Sequence, residues 1–411
     1  MLNLLKSNKM FRWLLSYQIF SGLGGGIFSL FMLLSVHLLY ENPMYTGIAG
    51  MLIAGPQILS FAVGPVVDRR NKVTIMRITT LLEFSVLAVL AFTPILESVG
   101  VMALFTAVLL FSCAALFEGP AGTALLPQIV DENQIVEANS LVQIGAMSGG
   151  ILVAIGLFFG LGDTGMDLTL IYGVSAVFLA LAFIVSLFIK DPNAKTAKIA
   201  PKTSYMADLR EGGRFIRSNV LLFITIALVV QMFVIEMAGV NRPAFLEYHV
   251  GSQGYIVFAM TSLVGGIVAS ALMGALGKKV KAGHLIFVLY IVSGAIRIVF
   301  AHVLPHSYAG GLVTMVFYAT LGSALGITIS SLQQRMPQKD MVGRVGTLSN
   351  TFGSIAFTLG ALVGGVLGGI VADTAHVFIY QGITYIVIGL FIILIPSVRK
   401  LPKINDLKKP E

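Results

Sequence analysis

Few residues of this chain could do chemistry, and they sit in strongly apolar surroundings. Glu83, Glu118 and Glu236 each interrupt a long apolar run. A carboxylate kept in hydrocarbon costs several kcal/mol, so its retention points to a cavity, an ion partner or a proton path. Binding and releasing a proton is the chemistry open to these three, and they are the proton-coupling candidates. Arg297 is the one cation in the middle of an apolar run. A guanidinium keeps its proton, so Arg297 needs a partner: Glu236, Glu83, water or an anionic ligand. Tyr17, Gln18, Gln57, Gln143 and Gln231 could orient a ligand in a polar cavity or serve as hydrogen-bonding glue between helices.

Other chemistries find no support. His37, His249, His284, His302, His306 and His376 lie at the ends of apolar runs or between them, Cys113 is the lone cysteine, and no spacing suits a metal. Gly274-Ala-Leu-Gly277-Lys278-Lys279 lacks the spacing that cradles nucleotide phosphates. No nucleophile stands with a base, and the polar segments are too short for a catalytic domain. Neither an enzyme nor a cofactor is expected, and energy must come from an ion gradient or from the ligand's own.

The elements that must position these residues follow from composition. The chain is 56% hydrophobic and 11% charged, against about 25% charged in soluble domains. Runs of about 20 apolar residues, enough to cross a bilayer as a helix, recur along nearly its whole length. The expected spans are 11–39, 46–67, 73–95, 101–123, 138–161, 168–189, 219–240, 254–276, 284–304, 310–332, 346–371 and 376–395. The first is too long for a secretory signal and lacks a cleavage site, so it is read as a retained helix. An all-α, multi-pass membrane protein of twelve helices results, in the inner or plasma membrane.

Charge sorts by side. With the N-terminus in the cytoplasm, 25 of the 27 basic residues fall on cytoplasmic segments, Arg242 and Arg297 being the exceptions. The positive-inside rule therefore places both termini in the cytoplasm, and the net charge of +8 reflects topology rather than a nucleic-acid partner. The longest polar stretch divides the chain into a bundle at 1–189, a linker at 190–218 with a short surface helix at 208–217, and a bundle with a tail at 219–411. Repetition supports the division. Gly64 and Gly274 each precede a charge by four residues, and Pro127-Gln128 recurs as Pro337-Gln338 at the same offset. A duplicated six-helix unit is a transporter design.

The loop after the second span reads Gly64-Pro-Val-Val-Asp68-Arg69-Arg70-Asn71-Lys72. It resembles the signature loop of the major facilitator superfamily, Gly-x-x-x-Asp-Arg-x-Gly-Arg-Lys/Arg, with Asn71 in place of glycine and Val73 in place of a second basic residue. The resemblance implies that Gly64, Asp68, Arg69 and Lys72 form a cytoplasmic latch that opens and closes during alternating access. The segment from Leu116 to Pro127, with Glu137-Ala138-Asn139-Ser140-Leu141, is similar to the macrolide-efflux and enterobactin-exporter branch, although Gly122 stands where that branch often has arginine. The fifth and eleventh spans are rich in glycine, which fits either close packing or an antiporter signature.

These resemblances imply a proton-coupled exporter of small amphipathic molecules, drug-like compounds or a siderophore, acting as a monomer. An importer or uniporter of a nutrient, or a non-transporting scaffold or receptor, would share the fold. The expected partners are a small-molecule substrate, protons and the lipid bilayer.

Overall fold

A chain with this little charge satisfies its backbone in a bilayer by forming helices. The computed structural model describes residues 2–93, 98–131, 134, 138, 141–142, 145, 149–150, 155–156, 167–192, 205–217, 220–251, 253–337, 341–371 and 373–406. Among them, eleven helices are long and apolar enough to cross a membrane. Most of the expected fifth span, 138–161, lies outside the described residues.

In chain order the helices are α1 (Leu2–Ser7), α2 (Lys9–Tyr40), α3 (Pro43–Ala54), α4 (Ser60–Arg69), α5 (Lys72–Phe92), α6 (Val101–Ile129) and α7 (Leu168–Ser186). They continue with α8 (Tyr205–Arg217), α9 (Leu221–Gly239), α10 (Arg242–Val250), α11 (Gln253–Lys279) and α12 (Ala282–Val303). The last are α13 (Tyr308–Arg335), α14 (Val342–Ile370), α15 (Ala375–Leu394) and α16 (Pro396–Arg399). Two details depart from the expected spans. The second is broken by a tight 3-10 turn at Gly55–Leu59 with Pro56 at its start, where the missing N–H interrupts the α ladder. The short α10 opens with Pro243, a residue pre-set for a first turn, in what reads as a loop.

The chain divides into two compact units, one of residues 1–41 and 52–201 and the other of 42–51 and 202–411. Segment 42–51, at the start of α3, is thus grouped with the second unit. In the first unit α2 and α5 pack on α7, and α5 also packs on α6. Polar groups at the helix ends tie these contacts down. Asn8 caps α2 by accepting from the Phe11 N–H at 2.9 Å, and its Nδ2 donates to the Ile129 carbonyl at the end of α6 at 2.8 Å. Arg77 spreads its guanidinium over the carbonyls of Ser186, Leu187 and Ile189, at 3.0, 3.2 and 3.1 Å, placing a cation at a helix C-terminus, where the dipole favours it. Replacing Asn8 by alanine removes both a cap and an interhelical bond. N8A is expected to cost about 2 kcal/mol, read as a lower unfolding midpoint in detergent, and N8D, which keeps only the cap, about half of that.

In the second unit the dominant pairs are α12 with α15, α9 with α14, and α11 with α13. The glycines of the eleventh span serve the second of these. A Cβ at Gly360 would collide with the Phe233 carbonyl and one at Gly364 with the Met237 carbonyl, so α14 lies directly against the backbone of α9. Asn241 Nδ2 fastens the contact by donating to the Gly364 carbonyl at 2.8 Å and to Met237 at 3.0 Å.

Candidate functional site

Polar side chains gather at one place in each unit. In the first unit, α2, α5 and α6 enclose a cavity of about 370 Å3 lined by Tyr17, Gln18, Ser21, Glu83, Phe111 and Glu118 among others. Glu118 of α6 is its hub. Its Oε1 accepts from the Tyr17 hydroxyl at 2.5 Å and from Ser21 Oγ. The Tyr17 hydroxyl also meets Thr80 Oγ1 of α5 at 2.7 Å. One turn beyond Thr80, Glu83 is 1% exposed and lines the same cavity as Glu118. Among the described residues, Glu83 Oε1 and Gln18 Oε1 have no hydrogen-bond partner. Two buried acceptors beside the cavity are thus left without a donor among the described residues.

Its walls are open because small residues line them. Gly22, Gly25 and Gly26 follow one another along α2, and Gly119 and Gly122 face the cavity from α6. A Cβ at Gly22, Gly26 or Gly119 would meet nothing within 4 Å. A Cβ at Gly122 would stand 3.4 Å from Gln18 Nε2, so the glycine at this position leaves space in the cavity.

In the second unit, Arg297 of α12 is 2% exposed. Within this unit, Glu236 is not among the partners of Arg297. Its guanidinium lies between the rings of Tyr318 and Tyr385, at 4.3 and 4.0 Å from their centroids, and donates to the Ser293 carbonyl at 2.9 Å. Two aromatic faces offset the loss of water around a delocalised cation, which is why a counter-charge is not required. Around it, Tyr290 donates to Gln231 at 2.6 Å and Tyr318 to Gln381 at 3.0 Å. Arg297 Nε and Gln381 Nε2 have no partner. Glu236, 8% exposed on α9, lies apart from this cluster. Its carboxyl lies over Gly239 and Gly50, and its nearest charge is Arg242.

The candidates thus fall into groups. Tyr17, Gln18, Glu83 and Glu118 share one cavity, Gln231 and Arg297 share the tyrosine cluster, and Glu236 stands by itself. Gln57 is half-buried in the 3-10 turn, and Gln143 is outside the described residues. Of the expected latch, Gly64, Asp68 and Arg69 lie on α4 with their side chains outside the described ones, whereas Lys72 opens α5 and its backbone N–H donates to Asp191 Oδ2 at 3.1 Å. Ser21, Thr80, Tyr290, Tyr318, Tyr385 and Gln381 escape the sequence reading. Their one signal there is position: Thr80 precedes Glu83 by three residues and Ser21 follows Tyr17 by four, spacings that share a helix face.

The sequence matches the profile of the Major Facilitator Superfamily over residues 14–361. No curated protein matches it by sequence. Solved structures do match its fold. A mutant of the nucleoside transporter NupG aligns with a TM-score of 0.74 at 13% identity, covering 93% of this chain and 99% of the other. The D-xylose-proton symporter aligns at 0.73 and 12%, covering 95% and 98%. A bacterial homologue of the iron transporter ferroportin, in an inward-facing state, aligns at 0.68 and 15%, covering 93% and 98%. These identities establish likeness of fold alone, while the family profile spans most of the sequence. The chain belongs to the Major Facilitator Superfamily and is a multi-pass membrane transporter, not an enzyme.

Proposed function

We propose that this transporter exports small amphipathic molecules, drug-like compounds or a siderophore, in exchange for protons, with Glu83 and Glu118 as the proton-exchanging pair. The observation that carries the reading is two carboxyls, one from α5 and one from α6, lining a single glycine-walled cavity, with Glu83 Oε1 buried and without a partner among the described residues. A proton entering the pair and a polar or cationic group of a substrate compete for the same acceptors. That competition is what exchange requires: occupancy by one must disfavour the other. The neighbouring Tyr17, Ser21 and Thr80 hold Glu118 in place through either state. Export, rather than import, rests on the similarity of Leu116–Pro127 to exporters. The halves 1–189 and 219–411 are read as the moving bundles, with 190–218 as linker and both termini cytoplasmic. Arg297 and Gln231 supply a second polar group for substrate, and Gly64, Asp68, Arg69 and Lys72 the cytoplasmic latch.

The test is proton flux. The purified chain is reconstituted in liposomes with a pH-sensitive dye inside, a proton gradient is imposed, and hydrophobic cations, macrolides and siderophores are added in turn. Compound-dependent proton movement in the exchange direction is expected. Movement of compound and protons in the same direction would replace export by symport.

The cavity itself gives a second expectation. Because a Cβ at Gly22 or Gly26 meets nothing within 4 Å, G22L and G26L are expected to fill cavity space rather than strain the fold. Both are expected to unfold no earlier than the parent, since leaving glycine in a helix interior gains about 1 kcal/mol. Transport by both is expected to be lost. Undiminished flux in both variants would place the substrate elsewhere.

A further inference from the structure

The structure assigns a phospholipid site to the cytoplasmic edge of the second unit: we propose that an anionic phospholipid seats one acyl chain between α9 and α14 and its phosphate on the arginines of α8. A groove of about 510 Å3 runs there, lined by Gly213 and Ile216 of α8, Thr225 and Val229 of α9, and Leu348 and Phe352 of α14, with others of like kind. Its walls are almost wholly apolar. Ile226 and Phe352 are 44% and 47% exposed, so the groove opens outward rather than into a sealed core. An elongated apolar chain fits such a trough, and its volume is that of an ordinary ligand site.

Thr225 is the second, independent observation. It is 6% exposed, lines the groove, and its Oγ1 has no hydrogen-bond partner. Other helical threonines of this chain, such as Thr320, Thr328 and Thr358, donate to the carbonyl four residues back, at 2.8 Å each. Thr225 instead keeps an unspent donor one turn, about 6 Å, beyond the start of α9 at Leu221.

Charge completes the site. On α8, Arg210 and Arg217 lie three residues before and four after Gly213, one turn away on the same face. Both are exposed, as is Arg214. By sequence α8 carries three arginines and two acids, Asp208 and Glu211, and Glu211 is already engaged by Arg344 at 2.7 Å. An amphipathic helix with a basic rim above an apolar trough selects a ligand that is anionic at one end and apolar at the other.

The full chain is delipidated and then offered phosphatidylglycerol or phosphatidylcholine with identical acyl chains. Native mass spectrometry and thermal unfolding read the result. Retention of phosphatidylglycerol is expected to exceed that of phosphatidylcholine by about tenfold or more, with a raised unfolding midpoint. The variant R210Q/R214Q/R217Q should lose that preference, and V229W should bind neither lipid while melting with the parent in phosphatidylcholine. In the unmodified chain, phosphatidylglycerol with a photoreactive acyl chain should label peptides spanning 222–230 and 348–352. Equal retention of the two lipids, an undiminished preference in the arginine variant, or labelling confined to other helices would each overturn the site. So would a lipid-free dimer that buries α8.

Discussion

Proton-driven transport by E83Q is expected to fall at least about tenfold, which is about 1.4 kcal/mol of lost coupling free energy, while substrate exchange without a proton gradient persists. Glutamine is nearly the same size as glutamate, so the packing of α5 on α6 survives. What it cannot do is bind and release a proton. Gradient-dependent and gradient-independent transport should therefore separate in this variant. E118Q is expected to show the same separation, because its amide oxygen can still accept from Tyr17 and Ser21. E118A, which leaves those hydroxyls without an acceptor, should reduce both kinds of transport. Gradient-driven transport retained in full by both E83Q and E118Q would remove the pair from the mechanism.

Stability responds most sharply at the glycine contact of α14 with α9. G360A and G364A each place a methyl group against a carbonyl of α9, at Phe233 and Met237 respectively. Backbone atoms cannot swing aside as a side chain can, so the two helices must separate. A loss of about 3 kcal/mol is expected for each, seen as a lower unfolding midpoint of the purified protein. Gly369, on the same helix, offers a matched comparison, because a Cβ there meets nothing within 4 Å. G369A should melt no earlier than the parent, gaining about 1 kcal/mol from helix propensity. Equal melting of all three variants would mean that the close approach of α14 to α9 contributes little.

Composition alone made the helical architecture legible, because a bilayer leaves a chain like this no other way to satisfy its backbone. The surface helix also showed itself, in the arginines and glycines around 210–217. Glu83, Glu118 and Arg297 were conspicuous as charges in apolar runs. Their partners were not. Glu83 and Glu118 are 35 positions apart on different helices, and only the packing of α5 on α6 turns them toward each other. For Arg297 a carboxylate, water or an anionic ligand was expected; it lies between two tyrosines from α13 and α15, a solution that depends on ring orientation and leaves no spacing in the chain. The glycines of α14 were ambiguous for a similar reason: one Gly-x-x-x-Gly pattern serves a contact or a cavity, depending on which face meets a neighbour. Those of α2 line the cavity, whereas Gly360 and Gly364 press on α9.

The central claim is that Glu83 and Glu118 hold a transferable proton between them. Infrared difference spectroscopy of the purified chain, titrated in H2O and in D2O, measures that proton through the C=O stretch of a protonated carboxyl. The account predicts such a band, shifted in D2O, titrating with pH, and altered by E83Q and by E118Q alike. A band untouched by both substitutions, or none across the pH range in which transport operates, would contradict it.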